Sequence, residues 1–239
     1  MSIINFPTNE DEWYGCKRHR FSFEDREAWI VEPEQAAAGM PWTWCIEWPT
    51  AFVPRTGVPR LLAQGFHHVH LQAKGHGNDP DQAAFHRYHD FLCSLGLAAK
   101  PGLIGLSFGG LYSLRYAAAN SHRVAALYLD APVCNFKNFR FADIVKDEYA
   151  LGALADLEKY PGLPVNLTEK LLHLPILLIY GADDLVVVPV LNCELFVERY
   201  QKAGGTMNII KRPSWGHHPH GLDDTNEIVD FMTKNLLGR

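Results

Sequence analysis

The chain has 239 residues, 47% of them hydrophobic and 21% charged, with 22 lysines and arginines against 27 acids for a formal charge of −5. That length holds the core of one domain and falls short of two ordinary ones. The acidic balance argues against nucleic acid or an anionic membrane as partner and leaves a small molecule, not strongly charged, as the expected ligand.

Residues 1–15 are polar and acidic, without the basic and apolar regions of a secretory signal, and no segment has the length of a membrane span. The expected location is the cytoplasm. Residues 20–32 then read as an antiparallel hairpin with Phe21, Phe23, Ala28, Ile30 and Val31 at the apolar positions. Strands are expected over 42–48 and 67–73, a helix over 81–95, a strand over 101–106 and a helix over 108–120. In that last helix Leu111, Leu114, Ala117 and Ala118 keep a 3.6-residue apolar spacing. Residues 124–130 and 176–180 are continuous apolar runs of the kind found in buried parallel strands. A last strand over 207–211 and a closing helix over 224–237 complete the order.

Strand-length runs alternating with helical stretches predict an α/β fold, a mostly parallel central sheet with helices on both faces. The expectation is a single domain over residues 1–239. Residues 131–174 break the alternation and carry Phe136, Phe139, Phe141, Tyr149 and Tyr160 with turn signals at Pro161-Gly162 and Pro164. So long a connection is expected to be functional, here a small helical cap insertion over a cleft.

Gly105-Leu106-Ser107-Phe108-Gly109-Gly110 places a serine between glycines where an apolar strand gives way to a helix. This is the arrangement of a nucleophile elbow, a strained turn that projects the central hydroxyl into a cleft. The pattern gains weight from its context, because an acid and then a histidine follow downstream in the required order. A serine hydroxyl needs a histidine to take its proton, and the histidine needs a carboxylate to fix its tautomer.

The buried run 176–180 ends in Gly181-Ala182-Asp183-Asp184. Asp184 is the preferred acid, with Asp183 and Asp130 as alternatives. His217, after Ser214-Trp215-Gly216, is the preferred base over His218 and His220. The oxyanion hole is expected from the N–H of Phe108, at the head of a helix, and from Trp48, with Thr50 as fallback because Pro49 has no N–H to donate. Glu47, His76 and Trp215 are expected to contact substrate, Glu47 through a substrate hydroxyl.

In these motifs and their order the chain resembles the α/β-hydrolase superfamily over nearly its whole length. The usual His-Gly pair of the oxyanion loop is replaced by Glu47-Trp48-Pro49. Pro41-Trp42-x-Trp44 and Gly216-His217-His218-Pro219-His220 further resemble an uncharacterised bacterial branch often met in carbohydrate-degrading settings. The expected function is a serine hydrolase that cleaves a carboxylic ester, such as an acylated sugar, through an acyl-enzyme. Alternatives are a non-catalytic ligand-binding protein of the same fold, or cofactor-free lyase or acyltransferase chemistry on the same three residues.

No cofactor and no metal is expected. His68 with His70, and His86 with His89, have ligand-compatible spacing but lack a further carboxylate or cysteine to complete a site. The five cysteines, Cys16, Cys45, Cys93, Cys134 and Cys193, are scattered without a Cys-x-x-Cys pair and read as free thiols. Neither Cys45 nor Cys134 has the setting of a nucleophile.

Overall fold

A computed structural model describes residues 4–6, 8–137 and 142–238. Its frame is a nine-stranded sheet. Strands β1 (Asn9–Trp13), β2 (Cys16–Phe23) and β3 (Arg26–Glu32) form an antiparallel meander. The expected hairpin is the β2–β3 pair. β1 was not expected, because its sequence Asn-Glu-Asp-Glu-Trp buries only Trp13 and lies at the sheet edge, where charge protects against further strand pairing.

The chain then alternates: β4 (Trp42–Cys45), α1 (Val58–Ala63), β5 (His67–Leu71), α2 (Asp79–Ser94), β6 (Gly102–Leu106), α3 (Phe108–Ala119) and β7 (Ala126–Asp130). Two short helices, α4 (Ala142–Glu148) and α5 (Leu154–Lys159), precede β8 (Ile176–Gly181), α6 (Cys193–Lys202), β9 (Asn208–Arg212) and α7 (Asn226–Leu237). The spatial strand order is β1-β2-β3-β5-β4-β6-β7-β8-β9. β3 meets β5 antiparallel, and every pairing from β5 onward is parallel.

Strands β4 to β8 are buried at every position, so successive side chains enter two different cores. Leu127, Leu129 and Leu178 join Phe85 and Tyr88 of α2, Leu111 and Leu114 of α3 and Phe196 of α6. Tyr128, Leu177 and Ile179 join Val58 and Leu61 of α1 with Ile228 and Val229 of α7. Helices therefore cover both faces, as continuous apolar strands require. The strand expected over 42–48 stops at Cys45, and the chain turns away through Trp48 at φ +58°.

Between β7 and β8, Phe139 and Phe141 lie outside the described residues. Phe136, Tyr149 and Tyr160 form an edge-to-face series with ring centroids 5.9 and 5.3 Å apart. Buried Arg115 of α3 ties this segment down: it donates to Tyr160 Oη at 2.8 Å, to Tyr149 Oη at 3.3 Å, to Asp79 Oδ1 at 2.6 Å and to the Gly77 carbonyl. Tyr149 in turn donates to the His76 carbonyl at 2.9 Å, and Asn78 Nδ2 donates to the Glu148 carbonyl at 2.9 Å. Among the described residues no helix is long and apolar enough to cross a membrane.

Candidate active site

β6 passes into α3 through Ser107, whose backbone sits at φ 51°, ψ −117°. A non-glycine residue holds such a conformation only when its surroundings over-determine it, at a cost of about 1–3 kcal/mol. The Ser107 N–H donates to the Asp130 carbonyl at 3.0 Å, and its own carbonyl accepts from Gly110 N–H at 3.0 Å and Val133 N–H at 2.9 Å. The glycines are needed for packing. A Cβ on Gly105 would lie 2.8 Å from Gly110 Cα, and one on Gly110 would lie 2.3 Å from Pro132 Cβ.

The acid and the imidazole come from two loops pressed together. The Ala182 and Asp183 N–H groups donate to the carbonyls of Arg212 and Trp215, both at 2.9 Å. Asp184 and His217 are both buried, and His217 Nδ1 lies 2.6 Å from Asp184 Oδ2 while its Nε2 lies 3.1 Å from Ser107 Oγ. Asp184 Oδ1 accepts from the Val186 and Val187 N–H groups, both at 2.8 Å. Burial pushes the Asp184 carboxyl up, but the His217 hydrogen bond and the two amides outweigh it and hold the group below its ordinary range. An ionised Asp184 accepts a hydrogen bond from Nδ1–H, which leaves Nε2 facing the Ser107 hydroxyl.

The competing residues fall into place around this chain. Asp183 is exposed. Asp130, fully buried, pairs with His220 instead: Nδ1 lies 2.7 Å from Oδ1, while Oδ2 accepts from Gly221 N–H at 2.8 Å and Tyr128 Oη at 3.2 Å. The Arg212 guanidinium stands 3.8 Å from Asp130 Oδ1. Two acid–histidine pairs thus lie side by side, with the His217 and His220 ring centroids 4.8 Å apart. The hydrogen bond to Ser107 is made by His217. The second pair was missed in the sequence, although a carboxylate ending a buried strand had to find a partner.

A cavity of about 530 Å³ opens over Ser107, within the usual range for small-molecule sites. Its walls are mainly apolar, from Trp48, Phe52, Phe108, Tyr112, Val187 and, from α4, Ile144. Glu47, His76 and His218 supply polar groups. Burial pushes the half-buried Glu47 carboxyl up. His76 Nδ1 is hydrogen-bonded to Glu148 of α4, and its ring centroid stands 5.1 Å from that of Phe108. Burial is also the main cause that pushes His218 down.

Two expected contacts differ. Trp215 does not line the cavity: its indole N–H donates to the Pro219 carbonyl at 3.1 Å, and its ring carries the Arg212 guanidinium at 4.6 Å. The Trp48 N–H, expected in the oxyanion hole, donates to Glu47 Oε1 at 3.3 Å; Thr50 lies exposed in the same turn. Phe108 opens α3 as expected, where helix amides and dipole favour negative charge.

The histidines with ligand-compatible spacing are engaged elsewhere. His68 bonds Thr43 Oγ1 at 2.8 Å and stacks on Trp13, and His70 Nδ1 meets the Cys45 carbonyl at 3.0 Å. His86 bonds Asn120 Oδ1 at 3.0 Å, and His89 bonds Tyr116 Oη at 2.6 Å. Burial raises the thiols of Cys45 and Cys134, so neither is a ready thiolate.

A serine on a strained strand-to-helix turn, at the carboxyl edge of a parallel sheet and met by an acid and a histidine from later loops, defines the α/β-hydrolase fold. The sequence model of the alpha/beta hydrolase family matches residues 36–164, and the chain belongs to that family. No curated protein matches it in sequence. Among solved structures it is similar to an S-formylglutathione hydrolase from Agrobacterium tumefaciens, at TM-score 0.69 and 15% identity over 96% of both chains. It is similar as well to dipeptidyl peptidase 4 of Porphyromonas gingivalis (TM-score 0.69, 16% identity, 92% of this chain and 35% of that one). The acylaminoacyl peptidase of Pyrococcus horikoshii gives TM-score 0.65 and 16% identity over 84% of this chain and 37% of that one. The chain thus spans about a third of the length of these peptidases and nearly all of the formylglutathione hydrolase. At these identities the likeness is one of fold.

Proposed function

We propose that the protein is a serine hydrolase that cleaves a carboxylic ester through an acyl-enzyme, with Ser107 as nucleophile, His217 as base and then acid, and Asp184 holding the imidazole. The observation that carries this reading is the unbroken hydrogen-bond chain from Asp184 through His217 to Ser107 at the floor of an open cavity.

In the proposed reaction the Ser107 proton passes to His217 Nε2 as Oγ attacks the acyl carbonyl. The oxyanion develops against the N–H of Phe108 and takes over the Trp48 N–H from the Glu47 carboxylate. Each such donor is worth about 3–4 kcal/mol to the transition state. His217 then returns the proton to the departing alcohol as the carbon–oxygen bond breaks. Water, deprotonated by the same nitrogen, releases the acid and restores Ser107.

The apolar walls suit the acyl part of the substrate. Glu47 and His76 offer polar contacts to a hydroxyl-bearing alcohol, which supports an acylated sugar as one such ester. Residues 131–174 act in this reading as a cap, supported by Ile144 in the cavity wall and by the Glu148–His76 hydrogen bond. The proposed partner is a small molecule alone, with no nucleic acid, membrane or cofactor.

Incubation with a fluorophosphonate probe, followed by peptide mass mapping, tests the nucleophile, and short-chain nitrophenyl esters test turnover. Labelling at Ser107, with a fall in kcat of roughly four to six orders of magnitude in Ser107→Ala and an unchanged unfolding midpoint, is expected. A Ser107→Ala rate within tenfold of wild type removes Ser107 from the role. Turnover in ¹⁸O-labelled water separates hydrolysis from acyl transfer, since only hydrolysis places the label in the acid.

A further inference from the structure

We propose that His217, His218 and His220 form a binding site for a divalent transition-metal ion of the zinc or copper type, which takes the Nε2 lone pair of His217 and so blocks Ser107. One ring nitrogen from each of the three lies within 4.8 Å of the others. Two of the three are already oriented as metal ligands. Asp184 holds Nδ1 of His217 at 2.6 Å and Asp130 holds Nδ1 of His220 at 2.7 Å. A carboxylate on Nδ1–H fixes the tautomer that leaves Nε2 as the donor atom and raises its basicity, the usual second layer around a metal-bound histidine.

His220 supplies the independent observation. It is 2% exposed, and its Nε2 has no hydrogen-bond partner among the described residues. Its ring is enclosed by Phe52, His217 and His218, with centroids 5.5, 4.8 and 5.0 Å away. The second acid–histidine pair thus spends a buried carboxylate on aiming a lone pair that the proposed ester chemistry does not use. A metal ion held between the rings would occupy it.

Tetrahedral ligation with metal–nitrogen bonds of about 2.0–2.1 Å sets the nitrogens ~3.4 Å apart. His218 is exposed and can close that difference by rotation. A three-imidazole set suits zinc, copper and nickel, whereas calcium and magnesium prefer oxygen ligands. Ser107 Oγ, 3.1 Å from His217 Nε2, must release that bond when the ion binds. Binding stands on this geometry alone; inhibition rests on the esterase reading above.

The test is calorimetric titration of untagged, chelator-treated protein with Zn²⁺, repeated with Mg²⁺ and followed optically with Co²⁺. One Zn²⁺ per chain, a tetrahedral Co²⁺ spectrum and no Mg²⁺ binding are expected. His218→Ala and His220→Ala should each weaken Zn²⁺ binding at least tenfold. His218→Ala is the decisive variant because its side chain is exposed, and thermal unfolding checks that both variants fold. Fluorophosphonate labelling of Ser107 should slow along the same Zn²⁺ saturation curve and recover with chelator. Absence of binding at about 100 μM Zn²⁺, or binding that both variants leave intact, overturns the site. Saturating Zn²⁺ that leaves labelling unchanged overturns the blocking role. Binding in a protein that turns over no ester leaves the metal site standing and removes the esterase reading.

Discussion

Asp130 and Asp184 stand at or just past the carboxyl ends of neighbouring parallel strands, and each carries an imidazole on one oxygen and a backbone amide on the other. What separates them is the far nitrogen of that imidazole, which meets Ser107 Oγ in one pair and has no hydrogen-bond partner among the described residues in the other. Asp184→Asn is therefore expected to lower kcat by about 10³–10⁴, because an amide cannot stabilise the imidazolium or fix the required tautomer. Asp130→Asn should cost less than about tenfold in kcat and instead lower the unfolding midpoint, since it disturbs a buried network to His220, Gly221 and Tyr128. Ester turnover and thermal unfolding of the two variants decide the matter. Equal losses of kcat would mean that both pairs serve the same step.

At the level of elements, the strand-to-helix elbow is self-contained, but the segment between β7 and β8 depends on one side chain. Arg115 reaches from α3 to Asp79 at the start of α2 and to Tyr149 and Tyr160 of the α4–α5 segment. Removing it takes a donor from the half-buried Tyr149 and Tyr160 hydroxyls and leaves the buried Gly77 carbonyl with Gln82 Nε2 at 3.2 Å. Arg115→Ala is expected to cost about 2–4 kcal/mol in total stability, and lysine should not rescue it, having no planar fork to serve several acceptors. Hydrogen exchange should rise in residues 142–160 while β6, β7 and β8 stay protected. Unchanged exchange there would mean that the aromatic series anchors the segment without the guanidinium.

Across the whole molecule, burial holds four imidazoles, His67, His68, His70 and His89, as neutral groups. Burial pushes His67, His70 and His89 down to about 4 and His68 to about 3. Because the folded values lie below the ordinary 6.5, the unfolded chain takes up protons first. Their contribution is intact above about pH 6.5 and is lost as pH falls toward 4, at about 1.4 kcal/mol per pH unit for each group in that window. Calorimetric unfolding between pH 7 and 4.5 should therefore show a steep fall in midpoint, and His68→Asn should flatten the slope. A wild-type midpoint constant across that range would contradict the buried, neutral state of these rings.

The alternation of buried apolar runs with helical spacing, the glycines around Ser107 and the acid-then-histidine order are local properties, and they determined the sheet, its two helical faces and the elbow from sequence alone. β1 and α1 escaped because an acidic edge strand and a six-residue helix bury too little surface to leave a pattern; α6 escaped too, although its buried Cys193, Phe196 and Tyr200 keep a helical spacing. Which acid meets which histidine was not local. Asp130 and His220 are separated by 90 residues and Asp184 and His217 by 33, so only the packing of the loop after β9 against the end of β7 and the loop after β8 assigns the partners. Trp215 turned onto Arg212 within its own loop, and the Trp48 amide onto the adjacent Glu47 in the turn after β4. A side chain's type sets what chemistry it can perform, but the direction of its lone pairs and protons is settled only when distant segments close around it.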